Sequence, residues 1–196
     1  YLNGRGVQQD DKQAYTWCRK AAEQGVVAAR HALGVMYDAG RGTDRDYAAS
    51  VHWYRLAADQ GYAESQNNLG LMYYEARGVA RDYQRALHWL SMAAESGIAQ
   101  SQYTLGWMYY RGIGVEQDLQ KAAEWFRQAG EQEFPLGQAR LGMMYLKGQG
   151  LPQDDRQAAD WLKRAADNGH AVSQTNTAML YLKGRGVPAD RTQAAK

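Results

Sequence analysis

The residues that could do chemistry in this chain are four histidines, one cysteine, several paired acids and a series of Gly-x-Gly segments. His31, His52, His88 and His170 offer no His-x-His or His-Glu-x-x-His spacing. His52 and His88 stand at equivalent places in a repeat, but packed helix pairs would hold them roughly 10 Å or more apart, too far for one metal ion. All four are expected to be solvent-facing helix residues. The Gly-x-Gly segments within 40–43, 112–115 and 184–187 have no strand before them and no third glycine or Lys-Ser/Thr pair after them, so they read as turns, not phosphate cradles. Asp10 with Asp11 and Asp154 with Asp155 fall where helices begin, and capping accounts for them without acid–base catalysis. Cys18 shares a column with Tyr54, Leu90, Phe126 and Leu162, which predicts a packed thiol. No nucleophile, base and oxyanion donor come together. The sequence therefore assigns no catalytic residue, no metal ligand and no cofactor, and describes a non-enzyme.

The elements that would position any site are set by a period. Trp17, Trp53, Trp89, Trp125 and Trp161 are each 36 residues apart. The same interval separates Tyr1, Tyr37, Tyr73, Tyr109, Tyr145 and Tyr181, and also Gly6, Gly42, Gly78, Gly114, Gly150 and Gly186. Asp10, Asp46, Asp82, Asp118, Asp154 and Asp190 form a fourth ladder, and no insertion breaks any of them. A fixed period of this length signals stacked supersecondary units.

Each unit reads as two helices. After Asp46, a plausible N-cap, Val51, Tyr54, Ala57 and Ala58 form one helical stripe that stops at Gly61, a residue suited to left-handed backbone. The next run carries Ser65, Leu69, Met72 and Tyr73 at helical spacing and is the first helix of a pair. A Gly-x-Gly-Val loop then leads into the following Asp-capped second helix, with a departure from the pattern at Ala76. Gly34, Gly70, Gly106 and Gly142 recur inside the first helices, where close helix packing outweighs their cost of roughly 1 kcal/mol. The laddered tryptophans could suggest a sugar-stacking strip, but each precedes a small-residue packing pair by one turn, so they are expected in the core between repeats. One unit deviates, with Gly130 for Ala and Glu133 for the ladder glycine before Phe134 and Pro135, which predicts a local change in helix entry.

Composition narrows the partners. The 23 basic and 21 acidic residues give a net charge of +2 with no run of Lys or Arg, so nucleic acid is not expected as a partner. A single cysteine excludes an internal disulfide framework. No apolar run reaches the length of a transmembrane segment. The opening YLNGRG lacks a Met, and the chain ends inside a second helix at RTQAAK, having begun at the end of a first one. Residues 1–196 are thus expected to be a single solenoid domain of about five repeats, excised from a longer protein.

Helix pairs carrying Leu-Gly-x-Met-Tyr, Gly-x-Gly-Val, Asp-x-x-x-Ala and Trp-x-x-x-Ala-Ala over this period resemble the Sel-one-like repeat family of bacteria, a relative of the tetratricopeptide solenoids. The resemblance covers the whole chain. It implies an all-α fold, a right-handed α/α superhelical solenoid of helix-turn-helix repeats whose first helices line the concave face.

In a repeat protein the laddered residues hold the scaffold, so function belongs where columns vary. On the first helices these are His31, Asn67, Tyr103, Ala139 and Thr175, then Val35, Leu71, Trp107, Met143 and Met179. A turn later come Asp38, Tyr74, Tyr110, Leu146 and Leu182, then Ala39, Glu75, Arg111, Lys147 and Lys183. Their offsets share one helical face. The expected partner-binding residues are therefore Asn67, Leu71, Tyr74, Tyr103, Trp107, Tyr110, Arg111, Met143, Leu146 and Lys147. Trp107 is the central knob, and the competing reading has it filling a gap against Tyr74 or Met143. Aromatics, Met and Arg at the centre of a surface are hot-spot composition. The partner would be a protein or peptide segment, with no small-molecule ligand expected. The resemblance implies an adaptor or scaffold, such as an envelope-complex adaptor or an immunity protein neutralising a cognate secreted toxin, with a periplasmic or envelope location favoured. Alternatives are a cell-wall or β-lactam hydrolase, although the paired cysteines of that branch are missing, and a self-associating structural module.

Overall fold

The computed structural model describes residues 10–195. Tyr1 and Gly6, with the expected end of a first helix, lie outside the described residues. Helices follow one another throughout, and no strand occurs among the described residues. The chain divides into two compact units, residues 1–96 and 97–196.

The first unit contains α1 (Asp11–Glu23), α2 (Val27–Ala39), α3 (Tyr47–Ala58), α4 (Ala63–Glu75) and α5 (Tyr83–Glu95). Second helices α1, α3 and α5 start on laddered aspartates. The Asp46 carboxylate accepts the Ala49 N–H at 2.9 Å, and Asp82 accepts that of Arg85 at 2.9 Å, satisfying donors that a helix start leaves open. The backbone N–H of Asp46 also donates to the Tyr37 carbonyl at 3.0 Å, and that of Asp82 to the Tyr73 carbonyl at 3.2 Å. This closes the loop at fixed length, so an inserted residue would break both the cap and the clasp. One core cluster of this unit joins Ala14, Ala22, Leu33 and Met36, with Cys18 and Trp53 packed against it, and Tyr54, Leu69, Met72 and Leu90 are buried as well.

The second unit contains α6 (Ala99–Arg111), α7 (Leu119–Glu131), α8 (Pro135–Lys147), α9 (Asp155–Asp167), α10 (Ala171–Lys183) and α11 (Arg191–Ala194). The same clasp recurs, from Asp118 to Tyr109 at 3.0 Å, Asp154 to Tyr145 at 3.1 Å and Asp190 to Tyr181 at 3.0 Å. Its core joins Ala122, Phe126, Leu141, Met144, Ala158 and Trp161, with a second cluster of Ala159, Leu162 and Leu180. A Cβ on Gly106 would lie 2.7 Å from two carbons of the Phe126 ring, and one on Gly142 2.8 Å from Leu162 Cγ. These glycines let α7 and α9 close on α6 and α8. The gain in helix propensity from Ala, about 1 kcal/mol, is outweighed by the 1–3 kcal/mol that overpacking typically costs.

Several expectations are revised. Glu133 produces no change in helix entry. It adopts the left-handed conformation of the glycines it replaces, with φ 61°, and Pro135 takes the first position of α8. The turn keeps its bonds, Glu133 N–H to the Gly130 carbonyl at 3.1 Å and Phe134 N–H to the Ala129 carbonyl at 3.1 Å, because the packing of α7 on α8 fixes the path. Ala76 is likewise left-handed, with φ 61°. His52 and His88 are exposed, but His31 is half-buried and shares a 2.8 Å hydrogen bond with Ser65 Oγ. His170 caps α10, its ring nitrogen accepting the Ser173 N–H at 3.2 Å. Cys18 is half-buried, not fully packed, and burial pushes its thiol pKa up. The tryptophan column is mixed, with Trp161 buried in the core and Trp17 58% exposed beneath Lys20.

Candidate functional site

In the second unit the first helices α6, α8 and α10 present their variable columns on one side. Trp107 is half-buried on α6, in contact with the core built on Phe126. Tyr110, one turn on, lies nearly parallel to it, with ring centres 5.7 Å apart and planes 17° from each other. The Arg111 guanidinium is 5.6 Å from the Trp107 ring centre, and that of Arg140, from α8, is 4.5 Å away. Trp107 therefore sits within a cage of one phenol and two guanidinium groups.

Tyr110 is held from both sides. Its hydroxyl donates to Gln149 Oε1 at 3.2 Å in the next loop, and its carbonyl accepts from Gln117 Nε2 at 2.8 Å. Tyr103 turns inward, with its ring 5.7 Å from Phe126 and 5.6 Å from Phe134. Met143 and Leu146 are half-buried over the Leu162 cluster, while Arg111 and Lys147 are exposed. Between α8 and α10 lies a cavity of about 270 Å³ lined by Leu136, Arg140, Met143, His170, Val172 and Asn176.

The remaining expected residues belong to the first unit. Asn67 is buried, its side-chain amide donating to Asn68 at 3.1 Å. Leu71 and Tyr74 are half-buried, and Tyr74 packs 5.6 Å from Tyr83. The acids of this unit's variable columns are neutralised, since Arg77 pairs with Asp38 at 2.9 Å and with Glu75 at 2.8 Å.

Arg140 lies outside the residues that the variable columns predict. It is the charged member of a column otherwise made of Ala32, Asn68, Thr104 and Asn176, and that contrast was the available signal. Among the described residues no three His, Cys, Asp or Glu side chains converge, and no helix is long and apolar enough to cross a membrane. The cage brings hydrogen-bond donors, two cations and aromatic surface together.

A family model described as Sel1 repeat matches residues 1–26, 27–62, 63–98, 99–134, 135–170 and 171–196. A protective antigen of uropathogenic Escherichia coli strains, described as displaying an SLR fold, is 40% identical over 99% of this chain with a TM-score of 0.95. The chain spans 42% of that antigen's length. A Sel1 repeat protein from Oxalobacter formigenes is 34% identical, covering 100% of this chain and 80% of its own, with a TM-score of 0.91. An immunity protein from Pseudomonas aeruginosa shares the fold at 19% identity and a TM-score of 0.54, over 92% of this chain and 65% of its own. No curated protein matches the chain.

Proposed function

Since the chain belongs to the Sel1 repeat family, whose fold typically mediates protein–protein interaction, we propose that it is a non-enzymatic scaffold that grips a partner polypeptide on the first-helix face of its second unit. One observation carries this reading, the half-buried Trp107 caged by Tyr110, Arg111 and Arg140. An aromatic side chain with a locked rotamer and two guanidinium groups around it loses little entropy on binding, which is the character of a hot spot. Met143, Leu146 and Lys147 extend the contact along α8.

The reading is tested by affinity capture from the source cells with the native chain beside Trp107→Ala, after helical circular dichroism has established that the variant is folded. A stoichiometric protein retained by the native chain and lost by the variant is the expected result. Equal capture by both places the contact elsewhere.

A further inference from the structure

The charges of the second unit are segregated by helix type. First helices α6, α8 and α10 carry Arg111, Arg140, Lys147 and Lys183 and not one Asp or Glu. Second helices α7 and α9 mix both signs, Lys121 and Arg127 with Glu124 and Glu131, and Arg156, Lys163 and Arg164 with Asp155, Asp160 and Asp167. The first unit differs, for α2 and α4 carry Asp38, Glu64 and Glu75 beside Arg30. Among the described residues, no carboxylate pairs with any of the four cations of α6, α8 and α10.

Apolar surface lies between these cations. Leu136 is 40% exposed and Val172 63% exposed, and both line the cavity that Arg140 and Met143 complete. Resting on the interaction reading above, we infer that this face takes an acidic polypeptide segment. Its carboxylates meet Arg111, Arg140, Lys147 and Lys183, and its aliphatic or aromatic side chains meet Trp107 and enter the cavity between α8 and α10.

The chemistry of the cations fits such a ligand. A guanidinium lying over an indole keeps its N–H edge available for a bidentate carboxylate. Arg111, Lys147 and Lys183 recur once per repeat, roughly 10 Å apart by helix packing, and a polyproline II segment, with three residues per turn and a rise of about 3.1 Å per residue, would present every third side chain to them. Duplex DNA presents a charge every ~1.7 Å of axis, far denser than this row, and would leave the interleaved apolar side chains against phosphate. Lipid insertion needs a projecting apolar face, whereas Leu136 and Val172 line a recess.

Random peptides displayed on phage and selected on the immobilised chain supply the probe. Selected peptides should be rich in Asp and Glu around aliphatic or aromatic residues and should bind more weakly as salt rises. They should lose about tenfold or more in affinity for Arg140→Glu and Lys147→Glu, with Arg140→Lys losing less, all with helical circular dichroism unchanged. Neutral or basic peptides that still depend on Trp107 would overturn the acidic partner while sparing the interaction reading. Peptides indifferent to both Trp107→Ala and Arg140→Glu would overturn both. Failure to select any peptide also overturns the inference, and cosedimentation with phosphatidylcholine–phosphatidylserine vesicles would then assign the face to an anionic membrane.

Discussion

The guanidinium carbon of Arg140 stands 4.5 Å from the centre of the Trp107 ring, so a side chain of one repeat rests on the outsized aromatic of the repeat before it. Val35, Leu71, Met143 and Met179 fill the same column elsewhere, and none of them offers a π face. Trp107 is thus tied into the scaffold through Tyr110 and Arg140.

A double-mutant cycle on Trp107→Leu and Arg140→Ala should return a coupling of about 0.5 kcal/mol, the scale of a cation–π contact at an exposed site. Urea unfolding of the native chain, the two single variants and the double variant measures it. Additivity of the two single changes would show that the guanidinium merely passes near the ring.

Ala76 and Glu133 occupy left-handed backbone, each with φ 61°, where an L side chain costs roughly 1–2 kcal/mol. Ala76→Gly and Glu133→Gly should each raise stability by about 1 kcal/mol, because relief of this strain exceeds the extra unfolded-state entropy of glycine. The urea midpoint of each variant should rise. A fall at Glu133 would mean that its side chain stabilises the turn by more than the strain it imposes.

The period, the Asp caps and the Gly-x-Gly loops were legible in the sequence because each expresses local chemistry repeated in register. The face of the first helices was legible only in part. At roughly 100° per residue, the columns of Tyr103, Trp107, Tyr110 and Arg111 fall near 0°, 40°, −20° and 80°, and the Arg140 column falls near 100°. Arg111 and Arg140 are exposed and Trp107 half-buried, whereas Thr104, in the Arg140 column of α6, is buried. Tyr103 and Tyr110 both pack on Phe126, with ring centres 5.7 and 6.5 Å away, and Asn67 is buried. The burial of His31 was not legible, because it depends on Ser65 and on the rings of Tyr54 and Tyr62, residues brought to it only by packing.

That burial has a pH signature. Desolvation lowers the His31 pKa below its ordinary 6.5, against a smaller opposing pull from Glu64. Between the lowered folded value and the ordinary unfolded one, the unfolded chain binds more protons than the folded chain, so stability rises with pH through that window. The contribution is fully present above about pH 6.5 and is lost as the pH falls through the folded value. Thermal melts at pH 7.5 and 5.5 should therefore show a lower midpoint at the acid pH, and His31→Gln, which keeps a polar partner for Ser65, should shrink that difference. An unchanged pH dependence in the variant would mean that His31 is hydrated enough in the folded state to titrate as it does in the open chain.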